Sequence, residues 1–111
     1  MSRRTEKVAA LLHQEAGEYL SRLELPGLTT ISKTEVTPDL KWGKVWVTIM
    51  GVSSVQRRTL AAINEELSEF QYSLIRKLRM KIVPRVSFIL DHGEEYAAHI
   101  NELLKKTHDE E

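Results

Sequence analysis

Residues 37–48 read TPDLKWGKVWVT, and the reading of this stretch decides the fold. Pro38-Asp39 interrupts an extended run. Lys44–Met50, KVWVTIM, then gives the strongest strand signal in the chain. A period of two puts Val45, Val47 and Ile49 on one face and Lys44, Trp46, Thr48 and Met50 on the other. The preceding segment, LTTISKTEVT at 28–37, is rich in β-branched residues, and Ile31 alternates with polar neighbours. It predicts a second strand, and the two should pair as an antiparallel hairpin. Lys41, Trp42 and Lys44 stand at the strand entrance. They are either polar decoration of a sheet or contacts to a partner.

Outward from the hairpin, apolar residues take helical spacing. Val8, Leu11, Leu12, Ala16, Tyr19, Leu20 and Leu23 recur at three- and four-residue steps, predicting an amphipathic helix from about Thr5 to Leu23. Pro26-Gly27 is a stop. Beyond the hairpin, Gly51-Val52-Ser53-Ser54 reads as a loop in which Ser53 or Ser54 caps the next helix. Leu60, Ile63, Leu67, Phe70, Leu74 and Leu78 then mark one long helix or two consecutive ones, ending near Met80, with Ser68 the expected bend. Val83-Pro84 forces an extended entry to a third strand, Arg85–Leu90. Asp91 is expected to cap a final helix from about Gly93 to Lys106. The order is α-β-β-α-α-β with an added C-terminal helix. This is an α+β domain over residues 1–106, with helices on one face of a three-stranded sheet and the other face partly open. Residues 107–111, THDEE, read as a disordered acidic tail.

The 111-residue length fits one domain, and 41% hydrophobic with 29% charged residues is a globular mixture. The chain has no cysteine, which excludes disulfides, thiolate zinc sites and cysteine nucleophiles and fits a reducing cytoplasm. No apolar run is long enough to cross a bilayer. The N-terminal stretch reads as no secretory signal, because His13, Gln14, Glu15 and Glu18 interrupt any apolar core. A membrane partner is not expected. The formal net charge of zero conceals an asymmetry. Residues 1–90 hold 14 Lys/Arg against 9 Asp/Glu, a balance of +5, and residues 91–111 hold 2 against 7, a balance of −5. A basic body beside an acidic end hints at nucleic-acid contact.

Catalytic and metal chemistry find no footing. Of the four histidines, His92 and His99 could share a helix face with Glu95 and Glu102, but a solvated polar face explains them better. Glu65-Glu66 and Glu94-Glu95 are adjacent pairs, which diverge on a helix and form no acid/base couple. No serine sits in a nucleophile elbow, and no glycine loop cradles phosphate. An enzyme, a cofactor and a metal site are therefore not expected. The basic cluster says more. Arg76, Lys77, Arg79, Lys81 and Arg85 fall within ten residues, and no acidic residue occurs from Gln71 to Leu90. A one-sign field of this kind suits a phosphate backbone. A solvated helix end is the plainer reading of the same residues. Trp42 and Trp46 suit either base stacking or packing.

Several motifs carry a resemblance. TPDLKWGKVWVT resembles the second-strand motif of the ribosome-binding factor A family, S/T-P-D-L-R/K followed two residues later by K-V-Y/W-V. Lys77–Asp91, KLRMKIVPRVSFILD, is similar to that family's helix end and last strand. The helix start Arg4–Ala9 and the closing segment Glu94–Leu104 are similar as well. The likeness runs collinearly along nearly the whole chain. It implies a KH-type RNA-binding domain of the second topology, an α-β-β-α-α-β order. It also implies a non-enzymatic assembly factor; the protein itself is expected to be a cytoplasmic monomer. Its partners would be the free small (30S) ribosomal subunit and 16S rRNA, and an assembly GTPase would act in its release. Late maturation, 5′-end processing and cold adaptation belong to the same implication. In the family an alanine-x-glycine-type kink replaces the GxxG loop of other KH domains. Here the corresponding stretch is Glu65-Glu66-Leu67-Ser68, which lacks that alanine and glycine. The RNA contacts are therefore expected at Arg76, Lys77, Arg79, Lys81 and Arg85, flanked by Arg57, Arg58, Lys41 and Lys44. The alternative is a KH-like protein-interaction or general RNA-binding module working through Trp42 and Trp46. The acidic C-terminal segment is expected to occupy the basic face or to repel phosphate.

Overall fold

A computed structural model describes residues 3–92. Its elements run α1 (Arg3–Ser21), β1 (Thr29–Val36), β2 (Trp42–Ile49), α2 (Ser53–Glu65), α3 (Leu67–Leu78) and β3 (Arg85–Leu90). The expected order and α+β class hold. The predicted final helix and acidic tail lie outside the described residues.

β1 and β2 pair antiparallel, as the turn signal between them requires, and β3 joins β2 in parallel to give a mixed sheet of order β1-β2-β3. The parallel pair needs a long crossover, which α2 and α3 supply. Alternation on β2 follows the sequence: Gly43, Val45, Val47 and Ile49 are buried, while Trp42, Lys44 and Thr48 are exposed and Trp46 is half-buried. The buried face meets the helices. α1 buries Thr5, Val8, Leu12, Ala16 and Leu20. Leu11, one position from Leu12, turns roughly 100° off this stripe and stands exposed, contrary to its sequence assignment. At Gly43 α1 comes close to β2, since a Cβ there would lie 2.7 Å from Leu12 Cδ2. Phe70 of α3 sits between Tyr19 of α1 and Phe88 of β3, at centroid separations of 5.2 and 5.7 Å, and ties three elements into one core.

Polar groups in the core are satisfied locally. Thr59 Oγ1 donates to the Val55 carbonyl at 2.7 Å and accepts the Gly27 N–H at 3.0 Å, fastening α2 to the α1–β1 loop. The Gln71 amide accepts the Val86 N–H and donates to the Pro84 carbonyl, both at 2.9 Å, so a side chain takes the place of a strand partner at the start of β3.

Two local expectations are corrected. Neither Ser53 nor Ser54 caps α2: both lie within the helix, and Val52 precedes it in extended geometry without a side-chain cap bond. The bend falls at Glu66, not Ser68. Glu66 holds φ −90° and ψ −4°, a right-handed conformation open to any residue, so neither a glycine nor a small side chain is required there. Its carboxylate accepts the Tyr19 hydroxyl at 3.0 Å. Partial burial, together with this acceptor, raises the Tyr19 phenol above its ordinary value.

Candidate nucleic-acid interface

The strand-entrance turn is built from its own side chains. Asp39 Oδ1 accepts the Thr37 hydroxyl at 2.6 Å and the Lys41 N–H at 3.0 Å, and Thr37 Oγ1 accepts the Trp42 N–H at 3.1 Å. These bonds hold the Asp39 carboxyl below its ordinary range, with the Thr37 hydroxyl the largest cause. Leu40 takes a left-handed φ of 64°, unusual for a branched side chain, and buries that side chain as a plug. The turn then delivers Lys41, whose carbonyl accepts the Arg85 N–H at 2.8 Å. Two basic residues 44 positions apart in sequence thus meet at one end of the sheet.

From that end a basic and aromatic seam runs round the edge of the molecule. Trp42 is the register partner of Arg85, and Lys44 that of Ser87, all four exposed. A groove of about 570 Å³ between α3 and β3 is lined by Trp42, Ser68, Tyr72, Ile75, Arg85 and Ser87, among others. Trp42, Tyr72 and Ile75 are each at least half exposed. On the α3 side, the Arg76 guanidinium lies 4.9 Å from the centre of the Tyr72 ring. Lys44 and Arg85 on the strands and Arg76 on α3 therefore lie about the groove headed by Trp42 and Tyr72, with the Lys41 backbone at the strand entrance beside them.

The other predicted site residues are distributed differently. Lys77 turns toward α1 and pairs with Glu15 at 3.2 Å. Arg79 ends α3 in a left-handed conformation, φ 48°, and is exposed. Lys81 lines a second cavity at the sheet end, with Arg4, Pro38, Asp39 and Met80. Arg57 and Arg58 are exposed near the start of α2, where Gln56 bonds the Ile49 carbonyl. That is the far end of β2, about 23 Å from Trp42 along an eight-residue strand. The sequence reading passed over Tyr72, Ile75, Arg4 and Lys33. Lys33 lies 5.0 Å from the centre of the Trp46 ring and 2.8 Å from Glu35. The position of Lys33 opposite Trp46 depends on a register shift between Ile31 and Lys33, which no strand pattern announces. No cluster of three or more metal-ligating side chains occurs among the described residues, and none of their helices is long and apolar enough to cross a membrane.

A one-sided α+β sheet in this order, with β3 parallel to β2 and a break between α2 and α3, defines a KH-type domain of the second topology. The family model for ribosome-binding factor A matches residues 4–104. A ribosome-binding factor A from Chloroherpeton thalassium is 38% identical over 113 residues, covering 98% of this chain and 90% of the relative. The chain belongs to the ribosome-binding factor A family. Among solved structures, a Thermotoga maritima protein studied by solution NMR superposes with a TM-score of 0.69 at 23% identity, covering 86% of this chain and 93% of that one. A Thermus thermophilus ribosome binding factor A homology model, fitted into the cryo-EM map of a 30S complex, gives 0.62 at 24% identity, covering 75% and 90%.

Proposed function

We propose that this protein docks on the free small ribosomal subunit through 16S rRNA and assists its late maturation, 5′-end processing included, without chemistry of its own. The observation that carries the reading is the seam of Lys41, Lys44, Arg85 and Arg76 with Trp42 and Tyr72 exposed among them. Exposed cations neutralise phosphates and set register, and exposed rings and guanidinium groups stack on unpaired bases. Family membership and the fitted Thermus thermophilus complex support the choice of subunit. Arg79 and Lys81 extend the seam. Lys77, drawn to Glu15, and Arg57 and Arg58, at the far end of β2, serve as outlying contacts. The protein acts as a cytoplasmic monomer, is needed most in the cold, where misfolded rRNA rearranges slowly, and leaves with the help of an assembly GTPase.

The test is co-sedimentation of tagged protein with free small subunits and with whole ribosomes. Selective recovery with free subunits, weakening steeply as salt rises, is the expected result. Equal recovery with both particles, or binding insensitive to salt, would favour a protein-interaction module instead.

A further inference from the structure

The two edges of the sheet are finished differently. At the start of β3 the Gln71 amide takes up the outward Pro84 carbonyl and Val86 N–H. The β1 edge has no such cover. Met50 donates its N–H to the Leu28 carbonyl, and Thr30 is the register partner of Thr48, so Leu28 and Thr30 face β2. Alternation then points the N–H and carbonyl groups of Thr29 and Ile31 to the free edge. None of those groups has a partner among the described residues. A register shift between Ile31 and Lys33 spoils the edge beyond this point but leaves residues 29–31 regular.

α1 runs beside this edge and leaves a groove of about 650 Å³, with Gly17, Leu20 and Ser21 on one wall and Leu28, Thr29 and Ile31 on the other. A Cβ on Gly17 would meet only Ile31 Cδ1, at 3.9 Å, so alanine, the better helix former, would fit there. The glycine instead keeps a notch open in the helix wall. An extended chain laid on such an edge bonds through its backbone and sends alternate side chains into the groove. Beyond the groove, Leu28 and its backbone partner Met50 stand largely exposed and continue the apolar surface. No Lys or Arg lines the groove, and of Glu18, Arg22 and Glu24, the exposed charges interleaved with its lining residues, two are acidic. That balance suits a polypeptide carrying a cation and not a phosphate backbone. We propose that the α1–β1 groove takes an extended, apolar, cation-bearing segment of a small-subunit protein, which adds to β1 at Thr29–Ile31 and sets one side chain over Gly17. The strand addition stands on the groove itself; the choice of a small-subunit protein rests on the docking proposed above. The protein then holds the subunit at two places, RNA at the basic seam and polypeptide at the opposite edge of the sheet.

Filling the notch separates the two contacts. In the full-length protein, Gly17→Leu should bind free small subunits about tenfold more weakly than wild type, yet bind protein-free 16S rRNA equally well, with no loss of melting temperature. Unchanged affinity for subunits, or an equal loss on naked rRNA, would overturn the proposal. Two measurements keep Gly17 in place. Leu28→p-benzoylphenylalanine, irradiated on small subunits, should form adducts with protein; adducts with 16S rRNA alone would overturn the polypeptide occupant. Hydrogen exchange over residues 28–32 of wild type should slow on subunit binding at about two amides, those of Thr29 and Ile31. Unchanged exchange there would overturn the strand addition. Wild type that binds subunits while Gly17→Leu matches it leaves the docking function standing and removes the groove. Wild type that binds neither subunits nor 16S rRNA removes the docking function, and the small-subunit occupant with it.

Discussion

One strand presents two faces with opposite tolerances. On β2, Gly43, Val45, Val47 and Ile49 are buried under α1 and the other helices. Their neighbours Lys44 and Thr48 are exposed on the opposite face, and Trp42 stands half exposed at the head of the groove beside α3. The buried face is fixed by volume: a single added carbon at Gly43 collides with Leu12. The open face is free of that constraint, so its tryptophan and lysine are available for recognition. Residues one position apart therefore answer to different physics, and mutation should separate them cleanly.

The largest stability loss should come from the buried side. Leu12→Ala removes a side chain with no exposed surface, and should cost about 2–5 kcal/mol, read from the urea midpoint. Gly43→Val should follow, at about 1–3 kcal/mol from overpacking against Leu12 and Pro84. A Gly43→Val protein as stable as wild type would break the claim that α1 clamps on this position. Trp42→Ala sharpens the contrast. It should change stability by no more than about 0.5 kcal/mol, because the ring is half exposed, while weakening binding to small subunits. A large stability loss would instead mark Trp42 as packing.

The smallest effect concerns the turn joining the two faces. The Asp39 carboxyl is held below its ordinary value by the Thr37 hydroxyl and the Lys41 N–H. A carboxylate with a depressed folded value stabilises fully above the ordinary aspartate pKa of about 3.9, and that contribution is lost as pH falls through the lower folded value. Stability of wild type should therefore decline in that acid window by slightly more than that of Asp39→Asn, in urea titrations at successive pH values. Identical acid profiles would show that the carboxylate does not organise the strand entrance.

These contrasts also mark what the sequence could convey. The hairpin, the buried Val45–Val47–Ile49 face and the third strand follow from period-two patterning and the Pro38 and Pro84 breaks, so they were legible. Side-chain capping and bending were not. The α2–α3 break lies at Glu66 because ordinary right-handed geometry suffices, and nothing in the residue types marks such a site. Linear spacing does not announce that Lys77 pairs with Glu15, 62 positions away, or that Arg57 and Arg58 stand at the opposite end of β2 from Trp42. The meeting of Lys41 with Arg85 needs the parallel β2–β3 pairing, a long-range register that no single segment encodes. Trp42, ambiguous as sequence, acquires a setting: an exposed ring at the head of a groove shared with Tyr72 and Arg85.

The central claim is that Lys44, Arg76 and Arg85 act together as one phosphate-binding seam. Its most direct test is the triple reversal Lys44→Glu, Arg76→Glu, Arg85→Glu, sedimented with free small subunits at moderate salt beside wild type. All three side chains are exposed, so the circular-dichroism melt should stay close to wild type. The account predicts loss of at least nine-tenths of the co-sedimenting protein, with a shallower salt dependence for what remains. Undiminished co-sedimentation of a folded triple variant would contradict it.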